Sequence, residues 1–207
     1  MTGRYLQYGC GWCTPEGWLN FDASPTLRFE RLPVLGWLYT KNATRFPANV
    51  RYGDIVKGLP VKSGSCAAIY CSHVLEHLAL DDLDKALRHT QQYLAPGGTF
   101  RFVLPDLEAL ARAYLSDPDG MASCRFMEAA CLGKRSRSHG LRAVVKEWLG
   151  KSAHLWMWDE KSMRAKLEEH GFHQIRQATF GDAEDRRFCE VEDPGRFAGC
   201  LAMQCLK

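Results

Sequence analysis

Short apolar runs alternate with longer stretches of helical spacing along most of this chain. Arg4–Tyr8, Trp18–Phe21 and Val50–Ile55 are brief runs that predict strands. Ala67–Cys71 is apolar almost throughout, the pattern of a strand covered on both faces. Leu83, Ala86, Leu87, Thr90, Tyr93 and Leu94 then share one face of a helix. Asp81 and Asp82 favour its start, and Pro96-Gly97-Gly98 its end. Thr99–Leu104 predicts a fifth strand. Leu107, Leu110, Ala111, Tyr114 and Leu115 follow at helical spacing, with Asp106 as N-cap. Between Asp117 and Trp158 the alternation breaks. Two helices are expected there, near 121–132 and 141–149, joined by a basic link from Lys134 to Gly140. A helix from Asp159 to His170, closed by Gly171, restores the pattern. His173–Phe180, a polar loop over 181–196 and a last strand, Gly199–Leu206, complete it. The mixed stretch Leu27–Asn42 is expected to be helical in part.

Alternation of this kind argues for an α/β fold with a mostly parallel sheet. The last two strands, with no crossover helix between them, pair antiparallel. The expected organisation is one domain over 1–207, with 117–158 as a helical insertion or lid. Open parallel sheets bind ligands beyond the carboxyl ends of their strands, at the switch point of strand order.

Composition narrows this only a little. Hydrophobic residues make up 46% and charged residues 25%, and the net charge of +3 is too small to argue for nucleic acid. No apolar run approaches the ~18 residues of a membrane span. The N-terminus enters a strand pattern almost at once, so no signal peptide is visible and a cytoplasmic location is expected. The nine cysteines are odd in number and are read as reduced. Cys10 and Cys13 form a lone C-x-x-C without a second ligand pair, so no metal site is expected.

Candidate chemistry gathers at the predicted strand ends. Gly9-Cys10-Gly11 follows strand 1, Asp22 strand 2, Gly53-Asp54-Ile55 strand 3, Ser72-His73 through His77 strand 4, and Pro105-Asp106 strand 5. By residue type alone, Asp22 ahead of Ser24-Pro25 and Asp54 after Gly53 also suit turns. Glu76 suits a helix start and His77 suits packing. The crossover Gly9–Gly17 is short for a nucleotide-binding unit, which usually needs about ten to twelve residues. G-x-G-x-x-G is absent, since position 14 is Thr, and so is the reductase pair Tyr-x-x-x-Lys.

The ordered set YGCG, EGWLNFDASP, RYGDIVKGLP, IYCSHVLEHL, ALRHTQQYLAPGGTFRFVLPDL and WDEKSMRAKLEEHGF resembles the class I S-adenosylmethionine-dependent methyltransferases, most closely a small bacterial type 11-like group. The resemblance implies a Rossmann-like seven-stranded sheet in the order 3-2-1-4-5-7-6, its first crossover helix reduced. It implies S-adenosyl-L-methionine as cofactor and S-adenosyl-L-homocysteine as product. Tyr8, Gly9, Cys10 and Gly11 would pass close to the methionine end. Asp22, with Ala23 after it, would accept from both ribose hydroxyls. Asp54 and Ile55 would flank the adenine, and Ser72 and His73 would line the pocket near the sulfonium. His73 and His154 are the candidate catalytic bases. Two departures stand out: Gln7 where the family usually has an acidic residue, and Cys13 where it often has a glycine. The expected partner is a small-molecule acceptor, anionic or saccharide-like, without nucleic acid or a membrane span, and a homodimer is compatible. The basic stretch 134–142 suits a solvated loop, or a clamp in which Arg137 and Arg142 would bind an anionic acceptor. With strand 1 opening near Arg4, segment 117–158 or a second subunit is expected to cover the cofactor. The alternative reading is an inactive methyltransferase-like module, which Gln7, Cys13 and the missing first helix favour.

Overall fold

The computed structural model describes residues 3–33, 36, 44–133 and 153–207. Seven strands stand among them: β1 (Arg4–Tyr8), β2 (Trp18–Asp22), β3 (Val50–Tyr52), β4 (Cys66–Ser72), β5 (Leu94–Pro105), β6 (His173–Gln177) and β7 (Cys200–Leu206). They form one sheet in the order β3-β2-β1-β4-β5-β7-β6. The first five pair in parallel, and β7 runs antiparallel to both β5 and β6. The expected topology is therefore present. No helix lies between β1 and β2, so the first crossover is indeed reduced.

The helices among the described residues are α1 (Pro25–Glu30), α2 (Leu80–Tyr93), α3 (Leu107–Ser116), α4 (Ala122–Ala129), α5 (Glu160–Glu169) and α6 (Pro194–Phe197). Their starts follow local chemistry. Ser24 accepts from the Thr26 N–H, with Pro25 at the first helical position. Asp106 accepts from the Glu108 N–H. Asp159 and Ser162 form a reciprocal capping box, closing at 2.8 and 3.3 Å. Helix α2 has no side-chain cap, and Asp81 and Asp82 favour its first turn through the dipole.

Several boundaries differ from the sequence reading. β5 begins at Leu94 rather than Thr99, because Leu94 already pairs with Cys66. Gly97, at φ +72°, bends within the strand and donates to the Lys207 carbonyl. Pro96-Gly97-Gly98 is thus a bend in the sheet, not a linker. β3 stops at Tyr52, since the Gly53 N–H turns back to the Asp22 carbonyl. β6 ends at Gln177. The polar loop 181–196 holds a 3-10 turn, Arg186–Glu190, and α6. The predicted helix near 141–149, the basic link 134–140 with Arg137, Arg142 nearby and most of the stretch 34–43 lie outside the described residues.

Leu6, Phe21, Ile69, Cys71, Phe100 and Phe102 point to one face of the sheet. There they pack against Leu83 and Leu87 of α2 and Met163 and Leu167 of α5. Each such buried side chain contributes about 1.5–3 kcal/mol. On the other face, Tyr5, Trp18, Ala68 and Tyr70 pack under Phe188 and Val191.

That second face also hides a charge. Arg101 on β5 is fully buried. Its guanidinium pairs with Glu192, reaches Asp182 at 2.8 Å, and donates to Gln204 Oε1 at 3.0 Å and the Thr179 carbonyl at 2.7 Å. Asp182 also accepts from Arg176 at 2.6 Å. A buried cation is tolerated only when its donors are met, and here they bind the loop after β6 to the sheet. Burial by itself would raise the Asp182 pKa. Hydrogen bonds from Arg176, the Thr179 backbone and Arg101 outweigh it and hold the carboxyl at about 2. A depressed carboxyl stabilises the fold above its unfolded value and loses that contribution as pH falls through the folded one. Urea unfolding is expected to show stability declining between pH of about 4 and about 2. In Asp182→Asn that decline should be shallower, with a loss of about 1–2 kcal/mol at neutral pH, the side chain being partly exposed.

Candidate functional site

A cavity of about 350 Å³ opens at the carboxyl ends of β1, β2 and β4, within the usual size range of small-molecule sites. Tyr8, Gly9, Asp22, Ala23, Asp54, Ile55, Ser72 and His73 all line it, together with Val74, His77, Leu78 and Arg196. The other predicted positions do not. Cys10 is buried with Leu27, Phe46 and Val50. Gly11 contributes from behind, its N–H donating to Asp22 Oδ2 at 3.0 Å. His154 lies beside Glu76 and His77.

The loop after β1 explains its own glycines. Gly9 sits at φ +67°, and a Cβ there would come 2.2 Å from Val74 Cγ2. Both the backbone and the neighbour demand glycine. Gly11, at φ +54°, has open space around it, so only its conformation selects glycine. The Cys10 N–H donates to the Phe21 carbonyl at 3.1 Å, which carries the chain across the end of β2. There Asp22, mostly buried, is gripped at both oxygens: Oδ2 by the Gly11 N–H and Oδ1 by the Ser24 N–H at 2.7 Å. Each oxygen accepts one backbone donor and keeps further acceptor capacity. Asp54 is turned by the Val56 N–H at 3.0 Å.

His73 follows β4 in the left-handed region, at φ 52°, where a non-glycine residue is uncommon. Its two ring nitrogens face acceptors: Nδ1 lies 3.2 Å from Glu76 Oε1, and Nε2 lies 3.1 Å from the Arg196 carbonyl. The Cys200 thiol and then Glu76 push its pKa up to about 10, against the effect of burial. The His77 Nδ1–H donates to the Ala153 carbonyl at 3.0 Å. Burial lowers the His154 pKa, opposed by the nearby Glu76 carboxylate. The Leu155 and Trp156 N–H groups donate to the Glu76 carbonyl at 2.8 and 3.2 Å. Residues 153–156 are thereby fixed to the loop that follows β4.

Sequence reasoning missed Arg196, which was read as loop. Its Nη1 lies 3.4 Å from Ser72 Oγ, and its charge lowers the pKa of Cys13, which burial raises overall. Only its partners in space reveal it. A second hollow of about 760 Å³ lies at the amino ends of β1 and β4, with Arg4 as its one ionisable group among the described residues. Its size outweighs the first, but its chemistry is poor.

Gln7, the first departure, lies outside the cavity. Its buried amide donates to the Cys13 carbonyl at 2.7 Å and to Asn20 Oδ1 at 2.6 Å. A carboxylate at that position would set charge against two acceptors. Gln7→Glu is expected to lower stability by about 2–4 kcal/mol, read as a lower urea midpoint with an unchanged slope.

A family model described as a methyltransferase domain matches residues 2–177. Similar folds occur in a SAM-dependent methyltransferase from Archaeoglobus fulgidus, 14% identical over 99% of this chain and 86% of that one, with a TM-score of 0.53. One from Mesorhizobium loti is 16% identical over 99% and 91%, TM-score 0.53. A third, described as a possible histamine N-methyltransferase from Thermotoga maritima, is 15% identical over 100% and 83%, also at 0.53. At these identities the likeness is one of fold. No curated protein matches the sequence.

Proposed function

Because the chain belongs to the methyltransferase-domain family, with S-adenosyl-L-methionine as its cofactor, we propose that it is an active methyltransferase acting on a small-molecule acceptor. One observation carries this most: the Asp22 carboxylate at the cavity wall, oriented by two backbone N–H groups with acceptor capacity to spare. Such a group suits a pair of ribose hydroxyls. Asp54 and Ile55 would hold the adenine, the free acceptor capacity of Asp54 facing its amine. Gly9 and Ser72 would line the methionine end. Arg196 would meet the cofactor carboxylate, the charge on one matching the other. Tyr8 and Ala23 complete the walls, while Cys10 and Gly11 act from behind them.

The bound cofactor supplies a methyl group already activated on a sulfonium. The chain's own task is then to hold, align and exclude water, which accounts for several kcal/mol of the barrier. His73, with acceptors on both ring nitrogens, serves as a fixed cation and not as a base. We place the orienting role on His77, which lines the cavity, with His154 beside it. Segment 117–158 is the proposed cover, since its described end, 153–156, is tied to the loop after β4. The acceptor is taken to be anionic or saccharide-like, and the location cytoplasmic; no helix among the described residues is long and apolar enough to cross a membrane.

The inactive alternative rested on Gln7, Cys13 and the missing first helix. Gln7 is spent on the fold outside the cavity, so its identity leaves the cofactor space untouched. Titration calorimetry with S-adenosylhomocysteine tests the reading; no heat at millimolar ligand overturns it. Asp22→Asn should weaken that binding about 10–100-fold, as one charged acceptor becomes a donor facing an N–H. Arg196→Ala should weaken it about tenfold and lose more of its effect at high salt.

A further inference from the structure

Glu76 is fully buried, yet its carboxylate is barely used. Among the described residues, Oε2 has no hydrogen-bond partner, and Oε1 has only the His73 ring, 3.2 Å away and poorly aligned. A buried carboxylate left this open is costly unless something compensates it. The His73 cation offsets part of that charge from one side, and two further imidazoles stand on the other. One ligand atom from each of Glu76, His77 and His154 falls within 4.8 Å of the others. The His77 Nδ1–H is already donated to a backbone carbonyl, the second contact that ligating histidines characteristically make. His154 Nδ1 is buried and makes no hydrogen bond among the described residues. His154 is held in place by the Leu155 and Trp156 N–H groups on the Glu76 carbonyl. The other such cluster among the described residues, Asp84, Glu169 and His170, differs. There the ligand atoms are already engaged with one another and with a lysine: Lys166 lies 2.9 Å from Asp84 and 3.0 Å from Glu169, and His170 Nε2 lies 3.0 Å from Asp84.

We propose that Glu76, His77 and His154 form a binding site for a divalent first-row transition-metal ion, opening onto the cavity through His77. One carboxylate and two imidazoles suit such an ion and leave coordination positions free. This departs from the expectation of no metal site, which considered only the cysteines. Resting on the methyltransferase reading, the free positions would take a hydroxyl oxygen of the acceptor. Bound there, the hydroxyl gives up its proton to solvent more readily. The oxygen then forms a bond to the methyl carbon as the carbon–sulfur bond breaks, its electron pair staying on sulfur. The acceptor class is thus an alcohol or phenol.

The test is a titration of the chelator-stripped full chain with MnCl₂, free Mn²⁺ being read by electron paramagnetic resonance. Manganese is chosen because the exposed thiols of Cys13, Cys124, Cys131 and Cys189 would compete for zinc. One saturable site per chain is expected, with a Kd on the order of 1–100 µM, and a rise in melting temperature with added Mn²⁺. Glu76→Gln and His154→Ala should each weaken binding about tenfold or more and abolish that rise. His154 lies on a loop, so its variant tests the site should Glu76→Gln fail to fold. No saturable site, or one kept by both variants, overturns the proposal. Calorimetry with S-adenosylhomocysteine on the same samples separates the two readings. Mn²⁺ binding without it removes the cofactor reading and keeps the ion site; the reverse removes the ion site alone.

Discussion

The position of β1 between two parallel neighbours governs everything at the functional end of this molecule. β2 pairs with it on one side and β4 on the other, and their crossovers leave in opposite directions. A crevice must therefore open where the chain runs off β1. The backbone leaving that strand has no helix to enter. Its N–H groups are met instead by β2: Cys10 donates to the Phe21 carbonyl and Gly11 to the Asp22 carboxylate. Meeting the backbone's donors and shaping the crevice wall are the same act.

That economy explains how so short a crossover still builds a binding wall. In a longer unit, free N–H groups at a helix N-terminus would face the ligand. Here the donors are turned inward and fix a carboxylate, so the wall presents acceptors. Gly9 keeps the loop low enough for Val74 to pack over it, which links the loop after β1 to the one after β4. His73 and Glu76 belong to that second loop. A change at Gly9 would thus be felt on both sides of the crevice.

The sheet was legible in the sequence because its central strands are covered on both faces, and such strands read as apolar runs. Eight of the ten positions carried over from the family motifs do line one cavity, since those motifs sit at strand ends that the topology brings together. Boundaries were less legible. The start of β5 depends on Leu94 meeting Cys66, and Pro-Gly-Gly alone cannot announce that. Polar residues in the interior were not legible at all. Arg101 reads as a surface residue until Glu192 and Asp182 arrive from far along the chain. Arg196 and His77 acquire meaning only from what they face.

Those interior polar groups also sort themselves by how completely they are satisfied. Arg101 is closed by two carboxylates, an amide and a carbonyl. Gln7 is closed by Cys13 and Asn20. Both lie away from the cavity at the strand ends, and both hold segments of fold together. Glu76 is as deeply buried as Arg101 but is left open, and it is open beside the crevice. Folding alone selects for closure, because an unmet buried charge costs stability and returns nothing. Among the described residues, the phenol of Tyr70 and the indole of Trp158 are also buried without partners, but they are neutral; Glu76 is the carboxylate among these open groups, and the proposed ion is what would close it.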